Sequence, residues 1–198
     1  AFSSFDTLLA PYVFFDMMVE GIDERDVKKA LLSFVYNLNV PSRWGQSPFS
    51  NVTIDMTVPN HMKHLAPQRG EEPYFVRNYR EFCESETDTN NEGWNRLFEE
   101  ARKRLNDYES DEETILYSLT YEHFKKEMMI ISKMYYEVLS EGDCVGQPFT
   151  FPIPTVNITE DFEWDNPDYE FLFENAALYG STYFQNFIGS QYLRDENG

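Results

Sequence analysis

Two stretches of this sequence carry residues able to do chemistry. The first is 146–165, GQPFTFPIPTVNITEDFEWD, read as one strand. Side chains alternate faces along a strand. One face carries Phe149, Phe151 and Ile153, then Thr155, Asn157 and Thr159; the other carries Pro152, Pro154, Val156 and Ile158. A strand running from a packed interior to a wet mouth needs that change from rings to hydroxyls and an amide. An edge strand of an ordinary mixed sheet fits the pattern as well. The second stretch is Arg43-Trp44-Gly45-Gln46, in a loop over 39–47. A guanidinium beside an indole would grip an anion or a ring, or would pack as a plain corner. The two cysteines, Cys83 and Cys144, lie far apart with no CxxC, so spacing builds no metal site from them. His61 and His64 sit between Pro59 and Pro67, which favours a loop over a chelating helix, and His123 stands apart. The residues therefore predict neither a metal centre nor a catalytic side chain.

Helices and strands must position these groups. The spacing predicts a helix over 2–18, capped by Ser3 or Ser4 with Asp6 in its first turn. Its apolar face would be Phe5, Leu8, Leu9, Tyr12 and Val13, and Pro11 would kink it or end it early. After Gly21, Asp23 with Asp26 forms a capping box for a second helix with the stripe Val27, Leu31, Phe34, Val35 and Leu38. The pair reads as an αα-hairpin, either covering a core or meeting another subunit. Strict alternation over 51–58 predicts a strand, with Val52, Ile54, Met56 and Val58 on one side and Asn51, Thr53, Asp55 and Thr57 on the other. Residues 67–119, rich in charge and rings, read as a surface insertion holding a helix near 94–108 with Leu97, Phe98, Ala101 and Leu105 inward. A helix from Thr120 to Ser140 buries Phe124, Met128, Ile131, Tyr135 and Val138, and another spans 168–178 up to Gly180. A third strand begins near Tyr183. Strand, helical excursion, strand and helix in that order suit an α/β fold with crossovers. Pro152 and Pro154 put two missing donors along one edge, so their strand is expected at a barrel rim, a bulge or a sheet edge.

Composition narrows the function. Apolar residues make up 41% of the 198 and aromatics 17%, which argues for a folded chain with a core. The formal charge is −19, from 16 basic and 35 acidic residues, and such a field repels nucleic-acid backbones. No apolar run is long enough to span a bilayer, and the first residues lack the basic region of a signal peptide, so a cytoplasmic location is expected. Asn51-Val52-Thr53 and Asn157-Ile158-Thr159 match the glycosylation pattern and are read as chance matches for that reason. GQSPFSNVTID at 45–55 echoes GQPFTFPIPTVNITED at 146–161, a hint of twofold construction. The chain lacks an initiator Met and ends on Asp195-Glu196-Asn197-Gly198, so a piece of a longer polypeptide is expected.

Four segments, AFSSFDTLLAPYV, NVPSRWGQSPFSNVTIDMTVP, FTFPIPTVNITEDFEWD and YFQNFIGS, resemble the anaerobic (class III) ribonucleoside-triphosphate reductases, in the family's order. The resemblance covers nearly all of the chain outside 67–119. It implies part of a ten-stranded α/β barrel, of the glycyl-radical-enzyme type, formed by 1–198 with a helical insertion at 67–119. It implies reduction of ribonucleoside triphosphates to deoxyribonucleotides by glycyl and thiyl radical chemistry. Zinc, formate, dNTP or ATP effectors, a radical-SAM activating enzyme and a homodimer are implied for the whole enzyme.

The family's radical cysteine follows the YFQNF stretch in a Ser-Met-Cys-Cys-Arg-Leu type segment, and the zinc and glycyl-radical segments lie farther on. All would fall beyond residue 198, and neither Cys83 nor Cys144 matches a catalytic position. Arg43-Trp44-Gly45-Gln46 is one residue shorter than the family pattern. The expectation is therefore a segment without catalytic residues, cofactor or metal, inactive alone, that walls a substrate cavity. The implied substrate contacts are Gln46, Ser47, Ser50, Asn51, Thr155 and Asn157, with Gln185 and Asn186 beside them. Ser3, Ser4 and Asp6 are implied near the effector site and dimer interface. The competing expectation is a non-catalytic acidic interaction protein that reuses part of the fold.

Overall fold

The two alternating stretches lie side by side. In the computed structural model, which describes residues 1–40, 49–85, 90–149 and 151–189, Asn51–Ile54 (β1) and Ile153–Ile158 (β4) pair in parallel, and Tyr183–Asn186 (β5) pairs in parallel on the far side of β4. Register sets Asn51 against Ile153 and Thr53 against Thr155, then Thr155 against Tyr183 and Asn157 against Gln185. Partners in register share a face, so the small polar residues of both strands line one side. Val52, Ile54, Val156 and Ile158 line the other, all buried. The outer edge of β1 is partly covered by Phe2, which accepts from Thr53 N (2.9 Å) and donates to Asn51 O (2.8 Å).

Parallel neighbours need long crossovers. Between β1 and β4 the chain makes a short hairpin of Gln68–Arg69 (β2) and Glu72–Pro73 (β3), then helices Tyr74–Glu84 (α3), Asn91–Leu105 (α4), Glu112–Ser118 (α5) and Lys125–Glu141 (α6). Between β4 and β5 the crossover is Glu170–Tyr179 (α7), ended by Gly180 in the left-handed conformation. Helix Phe5–Phe15 (α1), a π turn at Asp16–Glu20 and helix Glu24–Asn39 (α2) precede the sheet. The box at Asp23 forms as expected: its carboxylate accepts from Arg25 and Asp26 N–H, and Asp26 answers Asp23 N–H.

Several expectations change. The first strand ends at Ile54 rather than at 58, because Met56 turns to φ +60. The second spans only Ile153–Ile158, and it is the centre of the sheet, not an edge. Pro154 is tolerated there for a geometric reason. The N–H groups of 153, 155 and 157 face β1, as Ile153 N to Ser50 O (2.9 Å) shows, so position 154 faces β5. Pairing with β5 begins one residue later, at Thr155, and no ladder bond is lost at the proline. Helix α1 passes through Pro11, which is itself buried. Its core face is Phe5, Ala10 and Phe14, whereas Leu8 and Tyr12 of the expected stripe are exposed. Ser4 stands at the cap position with φ 48 and makes no side-chain cap. The helix expected from Thr120 opens as a 3₁₀ turn, Tyr121–Phe124, whose His123 ring accepts from Thr120 N–H, and the α-helix starts at Lys125.

Residues 67–119 add side chains to the same core. Phe75 of α3 stacks on Phe124 (5.5 Å between centroids) and meets Phe14, while Trp94, Leu97 and Phe98 of α4 are buried. One ionic tie crosses this layer. Arg104 on α4 forks onto both oxygens of Glu127 on α6 at 2.8 Å, donates to the His123 carbonyl, and lies 4.4 Å over the Phe14 ring. Glu127 is 1% exposed. Breaking a buried pair strands a charge, so Glu127→Ala should cost about 3–5 kcal/mol in denaturant unfolding. The double variant Arg104→Met/Glu127→Leu should recover most of that loss. Equal losses in the two variants would show that the charge pair is not what Glu127 contributes.

Candidate functional site

The polar face of the sheet has an order set by the register. Asn51 Nδ2 donates to Thr155 Oγ1 (2.7 Å) near the start of the strands. Thr53 Oγ1 accepts from Ser4 N (2.9 Å). One step on, Asn157 Nδ2 donates to Asp55 Oδ1 (2.7 Å), and Thr57 and Thr159 bring their hydroxyls within 3.4 Å. The exposed Gln185 lies in register with Asn157 on the outer strand. This row of Asp55, Asn157 and Gln185 stands at the carboxyl ends of three parallel strands, where open α/β sheets bind ligands.

Asn157 is the group best placed to act. Asp55 takes one of its amide hydrogens, which leaves Oδ1 as an acceptor. That Oδ1 is buried and has no partner among the described residues. An unmet buried acceptor costs about 1–3 kcal/mol, so a hydroxyl that displaced the atoms now covering it and donated to it would be rewarded. Ser50 Oγ, at the opposite end of β1, is also buried without a partner among the described residues. The row thus offers an acceptor, amides and hydroxyls, suited to neutral hydrogen bonds with a polyhydroxy ligand. Among the described residues, no group of three His, Cys, Asp or Glu could hold a metal.

Of the residues named from sequence, the sheet brings Asn51, Thr155, Asn157 and Gln185 onto one face, with Ser50 just before it. Asn186 is on the opposite face, and its Oδ1 accepts from Ile188 N (2.8 Å) as a turn residue. Gln46, Ser47 and the rest of Arg43-Trp44-Gly45-Gln46 lie outside the described residues. Ser3 is exposed and Ser4 half-buried. Asp6 is fully buried.

Asp6 and Asp55 are what sequence reasoning missed. Asp6 Oδ1 accepts from Asp55 N and Oδ2 from Met56 N, both 2.9 Å, and Ser132 Oγ on α6 approaches Oδ2 at 3.4 Å. Thr7 Oγ1 donates to Asp55 Oδ2 at 2.7 Å. So the first turn of α1 clasps the chain where β1 ends, and Asp55 in turn aims Asn157. Burial, with the Asp55 charge behind it, pushes the Asp6 carboxyl up to about 7, against the pull of its backbone donors. The only hint in sequence was that both aspartates sit among apolar neighbours.

The clasp predicts a pH effect of defined sign. A carboxyl that holds its proton more tightly when folded stabilises the fold at low pH. Its contribution is lost as pH rises from about 4, the unfolded value, to about 7. Asp6→Asn cannot titrate. Its urea midpoint, subtracted from the wild-type midpoint across pH 4–8, should leave a difference that declines with pH up to about 7 and then levels. A difference that is flat over this window, or that rises, would contradict the assignment.

Comparisons with known proteins now bear on the geometry. No curated protein and no solved structure matches the chain. The family model described as anaerobic ribonucleoside-triphosphate reductase matches residues 1–197. With a parallel α/β sheet and a family match over nearly the whole chain, the chain belongs to the anaerobic ribonucleoside-triphosphate reductase family.

Proposed function

We propose that this chain forms one wall of the substrate cavity in an anaerobic ribonucleotide reductase, with the polar face of β1, β4 and β5 turned toward the nucleotide. The observation that carries this reading is the register, which lines up Asp55, Asn157 and Gln185 at the strands' carboxyl ends and leaves Asn157 Oδ1 unpaired. A ribose hydroxyl is the natural donor to that oxygen. Gln185 and the Asn51–Thr155 pair then supply further neutral contacts along the sugar and phosphates. The opposite, apolar face packs on helices, as the outer face of a barrel wall must. On this reading 1–198 is part of a ten-stranded barrel, with 67–119 as its helical elaboration.

The radical chemistry belongs to groups that this segment does not provide. A glycyl radical and the thiyl derived from it would supply hydrogen-atom abstraction from the ribose. Cys83 on α3 and Cys144 in the turn after α6 are both exposed and off the sheet. Residues 1–198 then bind and orient substrate without turning it over. Zinc, formate, dNTP or ATP effectors, the activating enzyme and a homodimeric, cytoplasmic whole complete the reading. No helix among the described residues is long and apolar enough to cross a membrane.

The test is Asn157→Ala in the intact reductase. Losing one neutral hydrogen bond to substrate should lower kcat/KM by about tenfold. The glycyl-radical content measured by electron paramagnetic resonance should be unchanged, because Asn157 does not touch the radical machinery. Unaltered kcat/KM would remove the sheet from the substrate site.

A further inference from the structure

The polar row contains a charge where an amide would do. Asp55 is 3% exposed, and among the described residues no Lys, Arg or His pairs with it. Its side chain meets neutral groups instead. Thr7 Oγ1 donates to Oδ2 and Asn157 Nδ2 donates to Oδ1, both at 2.7 Å. Burying a charge is costly even when it is hydrogen-bonded. An asparagine at 55 would have much the same shape and could bond Thr7 and Asn157 with no charge to desolvate. The backbone N–H that Asp6 grips would be the same in either residue.

The difference lies in direction. A carboxylate only accepts, so Asn157 must offer it nitrogen, and Oδ1 is the atom left over. An amide at 55 could give or accept equally well. Two facing amides are satisfied in either of two orientations, one of which uses up Asn157 Oδ1 and leaves Nδ2 over. Thr7 does not break the tie, because a hydroxyl suits either atom of an amide. The carboxylate at 55 therefore fixes which end of the Asn157 amide is available.

We infer that Asp55 is a specificity-determining positioning residue, which makes Asn157 an acceptor only and so selects ribose hydroxyls over groups of similar size that cannot donate. The inference rests on the reading of the sheet as the substrate wall. A hydroxyl gives Oδ1 the hydrogen bond it lacks. A fluorine or an ether oxygen in the same place leaves it unmet, and a site built to bond a hydroxyl rejects analogues without one. Asp55 acts through Asn157 and does not itself touch the nucleotide.

The test uses the intact reductase before radical activation. Labelled CTP is displaced by CTP and by its analogues with fluorine in place of the 2′ or the 3′ hydroxyl. The wild type should bind at least one analogue about tenfold more weakly than CTP. In Asp55→Asn that ratio should fall to within about threefold, because Asn157 can then turn its nitrogen to the fluorine. Thr7→Val should keep the wild-type ratio, since the carboxylate still only accepts. Should Asp55→Asn not fold, Asp55→Ser carries the same expectation, because its hydroxyl both gives and accepts. A merely structural role for Asp55 would weaken all three ligands alike and leave the ratio standing. That result, a ratio lost in Thr7→Val, or a wild-type ratio near one for both analogues would overturn the inference. Asn157→Ala, run in parallel, separates the failures. If it weakens CTP and removes the ratio while Asp55→Asn keeps it, the positioning role alone falls. If Asn157→Ala changes neither CTP binding nor the ratio, the substrate wall falls with it.

Discussion

The site depends on one buried carboxylate. Asp6 spends both oxygens on the N–H groups of Asp55 and Met56, the two residues at which β1 stops being a strand. Those donors would otherwise be lost in an interior that gives them no water. With them held, Met56 can take its left-handed turn and Asp55 stays on the polar side of the sheet. Asp55 then receives Thr7 and Asn157, so a chain of hydrogen bonds runs from α1 to the middle strand. A fully buried acid next to another acid is an unfavourable arrangement by itself. Its retention makes sense as the means of orienting Asn157.

The packing around this chain of bonds is aromatic and crossed by charge. Rings from α1, α3 and the 3₁₀ turn before α6 meet around Phe75, and the Arg104–Glu127 fork fixes α4 against α6. Helix α6 matters doubly. Its inner face buries Met128, Ile131 and Tyr135, and Ser132 reaches Asp6 from the same helix. Rotation or displacement of α6 would therefore disturb the core and the clasp together.

Much of this was legible in the sequence, and the reasons for the rest are physical. Period-two alternation placed Asn51 and Asn157 correctly within their strands, and the parallel register put both on one face. The box at Asp23, the stop at Gly180 and the stripe of α6 are local signals and formed as read. The end of β1 was not legible, because Asp55, Met56 and Thr57 continue the alternation and only a contact 49 residues away stops it. Asp6 resembled an ordinary first-turn acid for the same reason. The prolines misdirected the placement of β4, since sequence shows which donors are missing but not which neighbour lies on that side. The expected stripe of α1 held only in part, with Phe5 buried and Leu9 and Val13 packed against the core but Leu8 and Tyr12 exposed, because that helix is apolar nearly all round and periodicity cannot choose a face when both qualify. Helix α3 was hidden by its charge, its burial being concentrated in Tyr74, Phe75 and Val76.

Family membership and the sheet geometry meet in one claim, that the hydrophilic row of three parallel strands touches the ribonucleotide. The most direct measurement is a crystal structure of the intact reductase with a ribonucleoside triphosphate bound. The account predicts a ribose hydroxyl within hydrogen-bond distance of Asn157 Oδ1, with the sugar lying along the row toward Thr57. A nucleotide seated elsewhere, with Asn157 Oδ1 satisfied by protein alone, would contradict it.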